Sequence, residues 1–345
     1  MAKRTLNDTA SVAKKSSPGK PFDLDSFKKS KFLSESSKFK KERWIPFSPA
    51  VVEALSIQGI PMGQVTIARG GSDTGKTTLL IEAAVAAQQM EVLPIFIITE
   101  MKWDFAHAQK MGFQCEAEPD AETGEVMNYK GFFLYVDRSI LNSIEDVSAF
   151  MADILDEQKK GNLPYDLCFF WDSVGSIPCR LSIESQKNNN EWNAGAMSQQ
   201  FGNFINQQIV LSRKENMPYT NTLVAVNKIW VAKPNSPMEQ PKMKNKGGDT
   251  MFFDSSLVIT FGNVTNSGTN KIKATKNGKD VEFAKRTKIS CDKNHITGVT
   301  SKGASIMTVH GFIEDDKKAV DEYKKAHSAE WLQVLGTKDF DIVEE

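Results

Sequence analysis

Val65-Thr66-Ile67-Ala68-Arg69-Gly70-Gly71-Ser72-Asp73-Thr74-Gly75-Lys76-Thr77-Thr78 is the stretch on which the reading of this chain turns. The apolar run Val65 to Ala68 predicts a buried strand, and the residues after Lys76 open a helical pattern. Between them Gly70 to Thr77 satisfies G-x-x-x-x-G-K-[ST]. A loop of this kind wraps backbone N–H groups around an anion only when a strand feeds it and a helix N-terminus faces the ligand. The glycines allow tight turning and close backbone approach. In that geometry Lys76 would contact the outer phosphates of a nucleotide and Thr77 would give its hydroxyl oxygen to Mg²⁺. A chance match in a chain of 345 residues is on the order of 1%, so a plain glycine-rich turn is the weaker reading.

Such a site needs a carboxylate at the end of another buried strand to hold the magnesium hydration shell. Leu167-Cys168-Phe169-Phe170-Trp171-Asp172 supplies one. Glu100 ends the apolar run Pro94 to Thr99, which follows the helix after the loop. It could polarise a water attacking a phosphate, or serve as an ordinary first-turn acid of a helix.

Outward from this centre, strand candidates are Gln64 to Ala68, Leu93 to Thr99, Phe132 to Val136, Leu167 to Trp171, Thr222 to Val226 and Leu257 to Phe261. Helix candidates are Lys76 to Met90, Trp103 to Met111, Ser143 to Lys160 and Asn193 to Arg213. Alternation of the two kinds predicts an α/β fold with a largely parallel, twisted sheet flanked by helices. Alternation in Val281 to Cys291 predicts an antiparallel C-terminal extension of that sheet, and Asp315 to His327 a helix in a charged tail. The expected organisation is a basic N-terminal arm over residues 1–45, a core over 46–313 and a charged tail over 314–345.

The arm carries 12 Lys and Arg against 5 Asp and Glu up to Arg43; a solvated tail, a subunit-docking segment and a DNA contact all fit it. In the whole chain 43 basic residues balance 43 acidic ones, so any surface for a polyanion must be local. With 40% hydrophobic and 25% charged residues and no membrane-length apolar run, a cytoplasmic protein is expected. Cys115, Cys168, Cys179 and Cys291 lack paired metal-ligand spacing, and the four histidines lie far from them and from one another in sequence, which argues against a zinc site.

These residues resemble the RecA recombinase family. Gly59 to Gly63 looks like the family's entry segment, Ile97 to Asp104 with Ala108 to Gly112 like its catalytic-glutamate strand and following helix, Trp171 to Pro178 like the segment around its Asp-Ser-Val, Val226 to Ile229 like its Asn-Gln-Ile, and Gly247 to Asp249 like its Gly-Gly-Asn. The blocks are collinear from about Ile57 to Cys291, and without a large C-terminal domain the chain resembles phage UvsX-type proteins. The resemblance implies a P-loop ATPase core using ATP and Mg²⁺ and forming filaments on single-stranded DNA that pair it with homologous duplex DNA. It also implies single-strand-binding and loader partners. By position it assigns Gly70, Gly71, Ser72, Asp73, Thr74, Gly75, Lys76, Thr77 and Thr78 to the nucleotide, Thr77 and Asp172 to the metal, and Glu100 to the lytic water. Lys228 stands where the family has a glutamine that senses the γ-phosphate, and lysine lacks the amide's paired donor and acceptor. Lys293 or Lys288 is the candidate to reach a neighbour's nucleotide; both could instead be strand-surface lysines.

Two irregular stretches, about Cys179 to Asn193 and Trp230 to Asp249, should lie at the C-terminal ends of the strands. In a RecA-like protein they would line the DNA channel, with Trp230, Lys233, Lys242, Lys244, Lys246, Gly247 and Gly248 as contacts; an aromatic flanking a strand, as Trp230 does, is more often core. A hexameric helicase motor and an accessory ATP-gated DNA-binding protein are the rival readings.

Overall fold

The computed structural model describes residues 23, 26, 38–232, 242–245, 248–263, 270–276 and 279–333. Lys233, Lys246, Gly247, most of the expected N-terminal arm and residues 334–345 of the expected tail lie outside the described residues.

Six parallel strands form the centre. They are β3 (Val65–Gly70), β4 (Leu93–Ile98), β7 (Leu134–Asp137), β8 (Leu167–Asp172), β9 (Asn221–Ala232) and β11 (Leu257–Asn263), side by side in the order β11-β3-β9-β8-β4-β7. The sheet continues beyond β11 with antiparallel β13 (Lys279–Asn294), β14 (Lys302–Thr308) and β15 (Gly311–Glu314). Two small antiparallel pairs stand apart: β1 (Trp44–Pro46) with β2 (Gly59–Pro61), and β5 (Glu116–Pro119) with β6 (Val126–Lys130). β10 (Lys242–Asn245) joins the end of β9 and β12 (Lys271–Lys276) pairs with β13. The α/β expectation and the antiparallel extension both hold.

Side chains on these strands alternate between two cores. Phe96, Ile98, Cys168, Phe170, Val224 and Val226 face a layer built by α1 (Pro49–Leu55) and α2 (Lys76–Gln89). Ile95, Ile97, Phe169, Trp171, Leu223 and Ala225 face the layer built by α4 (Ile144–Lys159) and α6 (Asn190–Phe201). Burial on both faces explains why the strands read as continuous apolar runs. α2 is buried through Leu79, Leu80, Ile81, Ala83, Ala84, Ala86 and Ala87, and its small alanines let it lie close against the sheet. Ser143 starts α4 with a reciprocal cap: its hydroxyl accepts from Asp146 N and Asp146 accepts from Ser143 N, two orphan donors satisfied together.

The sequence periodicity runs one helix from Asn193 to Arg213. The structure divides it: α6 ends at Phe201, and after Gly202 the chain winds loosely through Ile205–Ile209 and tightly through Val210–Arg213. The apolar spacing survives because Phe201, Ile205 and Ile209 all stay buried. The stretch from Trp230 is also more regular than expected, since β9 runs on to Ala232 and pairs with β10, Trp230 opposite Lys244 and Ala232 opposite Lys242. Between Cys179 and Asn193 lies a short helix, α5 (Arg180–Glu184). At the N-terminal side, Phe39 bridges to Lys214 and Lys40 Nζ donates to Ser212 O and Thr220 Oγ1, so residues 38–43 already lie on the core. Among the described residues no helix is long and apolar enough to cross a membrane.

Candidate functional site

β3 ends at Gly70 between the parallel strands β11 and β9, and residues 71–75 loop from it into α2. Gly75 takes φ 105°, and a Cβ there would come within 2.8 Å of Phe312 Cζ; the turn therefore needs glycine for both conformation and space. The loop is held from the antiparallel side, where Thr287 Oγ1 donates to Thr74 O (2.7 Å) and Lys285 Nζ to Asp73 O (2.8 Å). Gly71, Ser72 and Asp73 are exposed, while Thr74 and Gly75 are buried.

Six of the residues singled out from the sequence converge at this end of the sheet. Lys76 is 6% exposed and its ammonium donates to Gly71 O. Thr77 Oγ1 donates to Asp172 Oδ2 at 2.8 Å, joining the first turn of α2 to the end of β8. Glu100, just past β4, pairs with Lys228 Nζ at 3.0 Å and accepts from Ser173 Oγ. Lys228 lies level with Gly70 on the neighbouring strand. Thr78 is buried beneath the loop. Behind this group Thr99 Oγ1 donates to Ser173 O (2.7 Å), and the Asp172–Ser173 peptide bond is cis.

The charges perturb one another. Burial pushes the Lys76 ammonium below its ordinary value, opposed by the Asp172 and Glu100 carboxylates. Burial likewise pushes Asp172 up, with the Thr77 hydrogen bond pulling the other way and the Glu100 charge adding to the rise. Glu100 is also raised by burial, but the Ser173 hydroxyl and Lys228 outweigh it and leave it below the usual glutamate range. A buried carboxylate held up in this way gains most from a cation placed beside it. With the Thr77 hydroxyl adjacent, the donor set suits a hard, oxygen-preferring divalent ion such as Mg²⁺, and Lys76 beside open backbone suits phosphate.

A cleft of about 510 Å³ opens beside the loop, lined among others by Thr78, His107, Phe283, Lys285, Met307 and Val309. Sequence reasoning picks out Thr78 but passes over the others, because they come from α3 (Phe105–Lys110), β13, β14 and the β14–β15 turn, none of which carries a motif. A larger cavity, about 940 Å³, lies near Arg43, Met90 and Tyr165, away from these groups. Its size is a poor guide beside the convergence of charged side chains at the loop.

The remaining sequence candidates spread out. Lys242 and Lys244 are placed in β10 and Trp230 in β9, while Gly248 takes φ 90° and sits so close to α6 that a Cβ would meet Ala194 Cβ at 2.6 Å. Lys293 Nζ donates to Phe252 O (2.9 Å) and Phe253 O (2.8 Å), which ties it to α7 (Thr250–Asp254). Lys288 is exposed.

Among known proteins, no family model matches the chain. Protein RecA of Desulforapulum autotrophicum is 37% identical over 82 residues, 23% of this chain and 23% of that protein. Protein RecA of Geobacter sulfurreducens is 34% identical over 76 residues, 21% of this chain and 22% of that protein. The chain is related to RecA. The match to these RecA proteins spans less than a quarter of their length, and the same holds for RecA of Desulfotalea psychrophila, 34% identical over 71 residues and 20% of that protein. A RecA relationship agrees with the mostly parallel sheet flanked by helices described above.

Proposed function

We propose that this RecA relative is a DNA-dependent ATPase that uses ATP and Mg²⁺ to control its grip on DNA. It would form filaments on single-stranded DNA and promote pairing and strand exchange with homologous duplex DNA, in the manner of phage UvsX-type proteins. The observation that carries the reading is the meeting of Lys76, Thr77, Asp172 and Glu100 at the C-terminal ends of neighbouring parallel strands, where α/β proteins hold their ligands.

In this reading the backbone of residues 70–75 and the Lys76 ammonium hold the phosphates, and the cleft beside His107, Phe283 and Met307 takes the nucleoside. Thr77 and Asp172 would hold the metal, whose charge would offset that of the phosphates. Glu100 orients and deprotonates the attacking water. Because Lys228 and Ser173 now occupy that carboxylate, Lys228 must turn away before Glu100 can act. A phosphate anion attracts lysine as a point charge, so nucleotide binding itself would draw Lys228 off Glu100. Lys228 also begins the last stretch of β9, which leads to β10 and the lysines at 233, 242, 244 and 246. A change at Lys228 is thereby passed along one strand to the proposed DNA surface at Trp230, Gly247 and Gly248. Self-association along the DNA, and single-strand-binding and loader proteins as partners, follow from the same reading.

The Glu100–Lys228 pair also favours a second reading, an accessory ATP-gated DNA-binding protein whose turnover is slow because its glutamate is engaged. Electron microscopy of the chain with single-stranded DNA and ATP, alongside a strand-exchange assay, separates the two. Helical filaments active in exchange support the recombinase. Bound DNA without filaments or exchange supports the accessory protein, and closed rings would point to a helicase motor.

A further inference from the structure

At the far end of the antiparallel extension, His310 in the β14–β15 turn meets α8 (Lys317–Ala326) and α9 (Ser328–Gln333). His327 caps α8 and Glu330 lies in the first turn of α9. Nε2 of His310 and Nδ1 of His327 each stand 3.3 Å from the same carboxylate oxygen of Glu330. The two imidazoles are stacked with centroids 3.9 Å apart, and the three donor atoms lie within 4.8 Å of one another.

We propose that His310, His327 and Glu330 form a binding site for a divalent transition metal of the zinc class, which fastens the C-terminal helix pair to the β14–β15 turn. Ligands about 2.0–2.1 Å from zinc at the corners of a tetrahedron stand about 3.3–3.4 Å apart, and two of the three edges already have that length. Two imidazoles with one carboxylate are a donor set that zinc accepts with a fourth position left to water, and Glu330, about half exposed, leaves that side open. An independent feature points the same way. The other nitrogen of His310, Nδ1, is 2.9 Å from the hydroxyl of Tyr323, a residue only 8% exposed. Pairing of the distal ring nitrogen with a fixed partner is what orients a metal-binding histidine. Lys110 of α3 lines the same small cavity and repels a cation, which limits the affinity without blocking the donors.

The site has a consequence for the neighbouring cleft. Val309, next to His310, lines both the cleft beside the loop of residues 71–75 and the cavity at His327 and Glu330. Metal binding would fix the turn that forms one wall of the cleft. The metal site stands whether or not that cleft takes a nucleotide.

Calorimetric titration of the metal-stripped full chain with Zn²⁺, without nucleotide or Mg²⁺, tests it. The expected result is one equivalent bound. His310→Ala, His327→Ala and Glu330→Gln should each weaken binding at least about tenfold, and Tyr323→Phe about tenfold through the lost orienting contact. His295→Ala, outside the cluster, should leave the titration unchanged. Glu330→Gln alters only a half-exposed side chain, so it remains informative if a histidine variant unfolds. Zn²⁺ binding that is absent, or that Glu330→Gln and His327→Ala leave unchanged, would overturn the proposal and leave Glu330 as an ion-pair partner of the two imidazoles.

Discussion

Lys228 stands where the resemblance places a glutamine, and the structure gives this lysine a partner. Its ammonium lies 3.0 Å from Glu100 and, with Ser173, offsets the burial that would otherwise raise that carboxylate. Removing Lys228 should therefore let the Glu100 pKa rise. If Glu100 must be ionised to act, the acid limb of the kcat/KM profile for ATP hydrolysis, which reports the nucleotide-free enzyme, moves to higher pH in Lys228→Ala; an unmoved limb would mean that Glu100 is not the titrating base. The pair is partly solvated, so the same substitution should change folding stability by less than about 1 kcal/mol. Glu100→Gln keeps the shape and removes the base. It is expected to slow hydrolysis by about 10²- to 10⁴-fold while nucleotide affinity, read by equilibrium titration, stays within a few-fold.

Among the elements, α2 does two jobs, presenting Lys76 and Thr77 at one end and carrying Glu82 into the interior. Glu82 accepts from Phe312 N at 2.7 Å and from Ser48 Oγ at 2.8 Å, joining α2 to β15 and to the start of α1. Burial pushes its pKa up to about 7, against the pull of those two hydrogen bonds. Below the ordinary glutamate range both folded and unfolded chains hold this proton, and between that range and about 7 only the folded chain does. Stability from this group is therefore full at low pH and lost as pH rises through about 7. Glu82→Gln should gain on wild type in urea unfolding between pH 5 and 8, by on the order of 3 kcal/mol at most; parallel stability curves for the two would contradict this. Phe170→Ala, at a fully buried position of β8 stacked on Phe96, should cost about 3–5 kcal/mol in the same assay.

Elements were legible wherever burial on both faces left an uninterrupted apolar run, as in Leu93–Ile98 and Leu167–Asp172. They were not legible where short polar segments pair locally. Glu116–Pro119 and Val126–Lys130 form a largely exposed hairpin whose composition reads as loop, and β1 and β2 have three residues each. The charged centre of the site was readable because its residues sit at strand ends next to a specific motif. Its walls were not, since His107, Phe283 and Met307 come together only through the folding of distant segments. Ser173, which holds Glu100, follows Asp172 directly and could have been noticed, but a serine there has no distinguishing spacing.

For the whole molecule, equal numbers of acidic and basic residues mean that any affinity for DNA must come from a confined surface. If the four lysines at 233, 242, 244 and 246 contact single-stranded phosphates, the logarithm of the binding constant should fall with the logarithm of salt concentration with a slope of about −3. Replacing one of them should reduce that slope by roughly 0.7, measured by fluorescence anisotropy over a salt series. A slope near zero would remove this surface from the account.

The central claim is that one site, built by Lys76, Thr77, Asp172 and Glu100, hydrolyses ATP under the control of DNA. The most direct test is steady-state ATP hydrolysis with and without single-stranded DNA, on wild type and on Lys76→Ala. The account predicts turnover that rises when DNA is added and is lost in Lys76→Ala with the fold intact by circular dichroism. Hydrolysis that persists in Lys76→Ala, or that ignores DNA in the wild type, would contradict it.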